Sequence, residues 1–286
     1  MANVVIPSKW NQKPPLGVRL NQGHPLSQGI YAAWLFNEPS GTQSRDLVQG
    51  IPMSGVSTSM VPQSPYGQSM YDSTETVAST PADPRFGSAS FSAVLLRYET
   101  RTDSYGGILG VAGPSGSGNI ALQWGWQASA QPFCTVAVGA KVTMQNVVKN
   151  QPNVYGVSTG PHGLYLYLNG QLNAFSTTSS TLWPYPSQAI YGFAAHTSVI
   201  GMGYMWYLYT WLGRELTPND HAHLYADPYA IVQPQSPQRR FWTIPGTTPA
   251  QLAQTISHIL PEELDRGVQA VLRHIDSVGA RHSVSR

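Results

Sequence analysis

Residues 163–172 read Gly-Leu-Tyr-Leu-Tyr-Leu-Asn-Gly-Gln-Leu. Leu164, Leu166 and Leu168 share one face of an extended strand and Tyr165 and Tyr167 the other, because side chains alternate with period two. Asn169-Gly170 suits the positive φ angles of a type I′ turn, so a hairpin returning through residues 171–175 is predicted. Residues 29–36 form a continuous apolar run, as expected of a central strand covered on both faces. Further strands are predicted at 88–98, with Phe91, Val94 and Leu96 inward, and at 120–126, 133–138, 142–148, 153–157, 189–193 and 203–212. Between residues 46 and 84 the apolar positions thin out, which suits short edge strands and long loops. Residues 106–118 read as a glycine-rich hinge around residues 108–111. Thr217-Pro218-Asn219-Asp220 supplies an N-cap, a first-turn proline and an acid at the third position, opening a short helix that Asp227-Pro228 closes. Turn residues at this spacing argue for an all-β sandwich or barrel.

The two ends differ from this body. Residues 1–23 hold Pro7, Pro14 and Pro15 with Trp10 and no regular apolar spacing, so they read as an extended arm. The sandwich is expected over residues 24–232 and a proline-rich surface linker over 233–246. In the tail, residues 247–286, Leu264, Val268, Val271, Leu272, Ile275 and Val278 recur at steps of three and four, the spacing of amphipathic helices. Such a tail folds best against a partner surface. Trp10, Leu264, Val268, Leu272 and Ile275 are the expected assembly contacts.

Composition narrows the function. Only 10% of the 286 residues are charged, against about a quarter in typical domains, so Ser, Thr, Asn and Gln must carry the surface polarity. A net charge of +2 offers no field for phosphates, and nucleic acid is not an expected partner. With 27 glycines and 23 prolines, many short strands are favoured over long helices. Cys134, the single cysteine, lies in an apolar stretch and is expected to be a small buried hydrophobe. There is neither a signal-peptide pattern nor an apolar run long enough for a membrane helix, so neither a secretion route nor a place in a bilayer is expected.

Residues 24–231 resemble the laminin-G-like members of the concanavalin A-like lectin/glucanase superfamily, in the form encoded by bacteriophages and prophages. The matching residues are His24-Pro25-Leu26, the 33–38 segment Ala-Trp-Leu-Phe-Asn-Glu with Gly41, the 165–170 strand and turn, and Trp211-Leu-Gly-Arg-Glu-Leu-Thr217 with Leu224-Tyr-Ala-Asp-Pro-Tyr229. The resemblance implies a two-sheet antiparallel jelly-roll sandwich, concanavalin A-like, with an extended N-terminal arm and a short helical C-terminal tail. Relatives of this kind are glycan-binding modules, adhesion domains, glucanases or virion components. Calcium is a possible cofactor by resemblance, with no ligand set assigned.

Candidate chemistry is sparse. Glucanases of this superfamily carry Glu-x-Asp-x-Glu on one strand, whereas only Glu263 and Asp265 lie two apart here, in the tail, so no catalytic residue and no enzyme are expected. Gly156-Val-Ser-Thr-Gly160 matches the nucleophile elbow in letters but leads into another strand, so a β-turn is expected. His221-Ala-His223 puts two histidines on different sides of a helix, which suits exposed histidines better than zinc. Trp124 and Trp126 share strand parity and are expected in the core. Trp183 and Tyr185, set between prolines, are the candidate glycan or partner contacts. Asp46, Asp72 and Asp103 are expected to cap turns rather than bind calcium. The expectation is a non-catalytic virion structural protein of a bacteriophage, a capsid decoration or tail-associated component. Its partners would be other virion proteins, in a homo-oligomer or a lattice. The alternative is a glycan-binding lectin or adhesion module acting on host surface saccharides.

Overall fold

The computed structural model describes residues 13–55, 58–63, 65–72, 78–86, 90–100, 106–113, 120–126, 131–136, 140–148, 150–182, 188–196 and 199–234. These fall within one compact unit, Met1–Gln235. In chain order the strands are β1 Val18–Leu20, β2 Ile30–Trp34, β3 Gln43–Arg45, β4 Pro52–Ser54, β5 Thr58–Gln63, β6 Gly67–Asp72, β7 Ala78–Ser79, β8 Phe91–Glu99, β9 Gly106–Ala112 and β10 Ile120–Trp126. They continue as β11 Pro132–Val136, β12 Lys141–Thr143, β13 Pro152–Gly160, β14 Gly163–Leu168, β15 Gln171–Ser176, β16 Ala189–Gly192, β17 Ala194–His196, β18 Val199–Ile200 and β19 Gly203–Leu212, followed by helix α1 Pro218–Ala226 and β20 Val232–Pro234.

The front sheet has the order β15-β14-β13-β8-β19-β6-β5, and β2 pairs with β19 beyond β6. The back sheet runs β12-β11-β10-β9-β16-β7-β4-β3. Neighbouring strands pair antiparallel throughout the described residues, which gives the expected two-sheet sandwich. Between the sheets lie Trp34, Phe91, Leu95, Tyr155, Leu164 and Leu166 from the front and Leu109, Leu122, Trp124, Trp126 and Cys134 from the back, all at most 1% exposed. Trp124 and Trp126 therefore fill the core, and burial raises the Cys134 thiol pKa well above its usual value.

A second apolar layer covers the outer side of the front sheet, where Leu26, Leu35, Val94, Leu96, Trp211, Leu224 and Ile231 pack together. This layer explains why β2, β8 and β19 read as nearly unbroken apolar runs: both of their faces are covered. It also corrects the assignment of Phe91, Val94 and Leu96 to one inward face, since Phe91 enters the inter-sheet core and Val94 and Leu96 the outer layer. A register shift between Met205 and Tyr207 sets Trp206 and Tyr207 together in the outer layer, as a bulge does by adding one residue to a strand.

Two expectations about loops are overturned. Residues 106–112 of the expected glycine-rich hinge are the buried strand β9, paired on one side with β10 and on the other with β16, while residues 114–118 lie outside the described residues. The facing strand β10 approaches closely because Gly125 lacks a side chain: a Cβ there would lie 2.5 Å from the Gly106 carbonyl oxygen. Part of the expected arm and linker also belongs to the body, because Val18–Leu20 pairs with Val232–Pro234. Lys13 anchors the start of this segment. Its ammonium donates to the carbonyls of Phe36, Gln68 and Trp206, and burial, opposed by Glu38, lowers its pKa to about 7.

Candidate functional site

The hairpin predicted from residues 163–175 forms as expected, with positive φ at both Asn169 and Gly170. Leu164 and Leu166 point into the core, which leaves Tyr165 and Tyr167 on the outer face of β14. Register places Phe175 opposite Tyr165 and Leu172 opposite Tyr167 on the edge strand β15. Phe175 is 57% exposed and Leu172 45%, so this hairpin is apolar on both faces. The Tyr165 and Phe175 rings lie within 10° of parallel with centroids 6.1 Å apart, forming a shelf.

The other bank comes from the approach to α1. Thr217 caps the helix, accepting from the Asp220 amide at 3.2 Å while Asp220 Oδ2 accepts from the Thr217 amide at 3.0 Å, a complete capping box. Residues 215–218 then face His162, Tyr165, Tyr167 and Leu172 across a groove of about 440 Å³. Glu215 Oε2 lies 3.0 Å from His162 Nδ1, with the histidine side chain 81% exposed and the glutamate 18%. The Tyr165 hydroxyl donates to the His162 carbonyl at 2.9 Å. Burial, reinforced by Tyr165, Asp220 and Glu215, pushes the Tyr167 hydroxyl up to about 12, so it is a protonated donor at neutral pH. The groove thus combines an aromatic shelf with a few polar groups, the usual make-up of a small-molecule site.

The Gly-x-Ser-x-Gly match is neither an elbow nor the turn expected from sequence: it lies within β13. Packing explains its glycines. A Cβ on Gly156 would sit 2.4 Å from His221 Nδ1, and one on Gly160 would sit 1.8 Å from Glu215 Oε1. His221 is accordingly buried, 1% exposed, which corrects the expectation of an exposed histidine. It stacks on Tyr167 at 3.7 Å, and burial lowers its pKa to about 3. Its Nε2 is 3.0 Å from Ser158 Oγ, and Ser158 Oγ donates to the Leu216 carbonyl at 3.0 Å. A hydroxyl has one proton. With that proton on the Leu216 carbonyl, His221 Nε2 is the donor, so the pair is a buried structural link and not a serine with its base. His223 faces outward, against His24 at 5.3 Å.

Of the other sequence candidates, the described Asp46 and Asp72 do not line this groove. Trp183 and Tyr185, like Trp10, Leu264, Val268, Leu272, Ile275 and Asp103, lie outside the described residues. Asp46 caps a turn, accepting from the amides of Val48 at 2.7 Å and Gln49 at 3.0 Å and from that of Ile51. Among the described residues no group of three or more His, Cys, Asp or Glu is placed to hold a metal, and no helix is long and apolar enough to cross a membrane.

No family model matches the chain and no curated protein matches it in sequence. Solved structures match it in shape. The Trypanosoma rangeli sialidase in complex with sialic acid shares 14% identity at a TM-score of 0.56, over 71% of this chain and 33% of the sialidase. The same sialidase with the inhibitor DANA gives 11% and 0.55, over 78% and 37%. A botulinum neurotoxin type C structure, whose cell entry depends on interaction with two ganglioside molecules, gives 12% and 0.52, over 70% and 51%. This chain spans about a third of the sialidase, and at these identities the likeness is one of β-sandwich fold.

Proposed function

We propose that the chain is a non-catalytic glycan-binding module that seats a saccharide ring on the Tyr165–Phe175 shelf, with hydroxyls directed to Glu215 and Thr217. The shelf carries the proposal. Large aromatic rings are ordinarily buried, and the exposed Phe175 ring, near-parallel to the groove-lining Tyr165, offers the apolar face of a sugar a flat surface. The proteins sharing the fold are described with sialic acid or gangliosides, which supports glycan recognition; placement among concanavalin A-like, laminin-G-like domains is proposed from the sequence resemblance of residues 24–231.

The acids argue for binding rather than cleavage. Glycoside hydrolysis ordinarily needs two carboxyl groups flanking the bond. Glu215 lines the groove alone, because Asp220 is bound to the Thr217 amide and lies 3.6 Å from Arg214. The raised pKa of Tyr167 disfavours a phenolate nucleophile. A glycan array followed by titration tests the proposal. Phe175→Ala should lower affinity at least tenfold with little change in melting temperature, and undiminished binding by that variant would refute the shelf.

A virion-assembly role, with partners among capsid or tail proteins, is the second proposal, supported by the amphipathic spacing of residues 264–278. It does not compete for the same residues. Deleting residues 247–286 should abolish particle association while leaving glycan binding intact.

A further inference from the structure

We infer that the groove selects saccharides lacking a carboxylate and rejects sialic and uronic acids; this deepens the glycan-binding proposal and rests on it. Recognition of an acidic sugar needs a cation free to pair with it, most often an arginine fork. Among the described residues that line the groove there is none: His162, the one basic side chain among them, is already paired with Glu215. Arg214, next in sequence to Glu215, directs its Nη1 to the carbonyls of Pro25 at 2.9 Å and Gln28 at 2.8 Å. Its Nη2 lies 3.6 Å from Asp220, so both ends of the guanidinium are engaged.

Glu215 sets the sign of the site. Its Oε1 is buried without a hydrogen-bond partner among the described residues, in the space that the missing Gly160 side chain leaves. Among the described residues its Oε2 is held by His162. A carboxylate oxygen has room for a second donor, and a sugar hydroxyl supplies one. A sugar carboxylate would instead bring a second negative charge between apolar walls, where screening is weaker than in water. The Thr217 hydroxyl accepts from the Asp220 amide, which leaves its own proton for a ring or hydroxyl oxygen.

The test uses the full chain and matched oligosaccharide pairs: neutral galactosyl, glucosyl and mannosyl oligomers, each beside a counterpart bearing sialic or glucuronic acid. Titration calorimetry gives the affinities, and amide shifts of residues 165–175 place the ligand. A neutral oligomer should bind at least tenfold more tightly than its acidic counterpart. Glu215→Gln should narrow that gap below threefold, and His162→Gln should widen it by uncovering the glutamate charge. Because His162 is 81% exposed, the second variant stays informative if the first destabilises the fold. Acidic glycans binding at the groove as tightly as neutral ones, or both variants leaving the gap unchanged, would overturn the selectivity and leave glycan binding standing. No binding by any member, with no shifts at residues 165–175, would overturn the glycan proposal itself.

Discussion

The sharpest consequence of the outer layer concerns acid. His221 is buried with a pKa lowered to about 3 by desolvation, against an ordinary value of 6.5. Below pH 6.5 the unfolded chain takes up a proton that the folded chain refuses. Stability is therefore complete above pH 6.5 and is lost as pH falls toward 3. Each pH unit in that window costs about 1.4 kcal/mol, so at pH 4.5 the loss reaches about 2–3 kcal/mol, a large share of a typical domain's roughly 5–15 kcal/mol. His221→Gln keeps an N–H donor for Ser158 and removes the titration. Urea unfolding of both chains from pH 7.5 to 4.5 isolates the effect, because His24, whose pKa is also lowered by burial, is common to both and cancels. The variant should be the less stable at pH 7.5, and its deficit should shrink by about 2–3 kcal/mol at pH 4.5. Parallel pH profiles, or an NMR titration of the His221 ring near pH 6.5, would refute the reasoning.

Three further outcomes follow from described contacts. Arg97 is fully buried between the sheets, paired with Glu99 at 2.7 Å and donating to the carbonyls of Gly107 and Ile108; Arg97→Ala should cost about 3–5 kcal/mol in chemical denaturation by stranding the Glu99 charge. Thr217→Ala removes the helix cap and should cost about 1 kcal/mol, read as a lower urea midpoint. Burial raises the pKa values of Tyr155, Tyr207, Tyr209 and Tyr229, so their stabilisation is full below pH 10 and is lost as pH rises above it. Melting temperature should fall steeply between pH 10 and 11.5, and Tyr209→Phe should flatten that fall.

The front sheet was legible where local rules act alone. The alternation at Leu164–Leu168 and the Asn169-Gly170 turn needed only period two and backbone sterics, and the strand expected at 203–212 is β19 to the residue. Failures arose where a partner distant in sequence decides. His221 reads as an exposed helix position until Gly156 leaves room for its ring. Residues 106–112 read as a hinge because what makes them a strand, pairing with β10 and β16, lies elsewhere in the chain. The groove went unread for the same reason: His162 and Glu215 meet across 53 residues. One signal was available. Tyr165, Tyr167, Leu172 and Phe175 make the second face of a hairpin whose first face already fills the core, and an edge hairpin apolar on both sides calls for something to cover it.

The hairpin and the Glu215–Pro218 bank lie either side of β19, so the binding surface is finished late as the chain lengthens. A growing polypeptide released at Leu212 would hold every front-sheet strand yet only one bank. On the proposed glycan-binding reading, ligand capture would then report that the body residues after Leu212, which run to Gln235, have docked, so saccharide affinity columns would sort completed molecules from truncated ones.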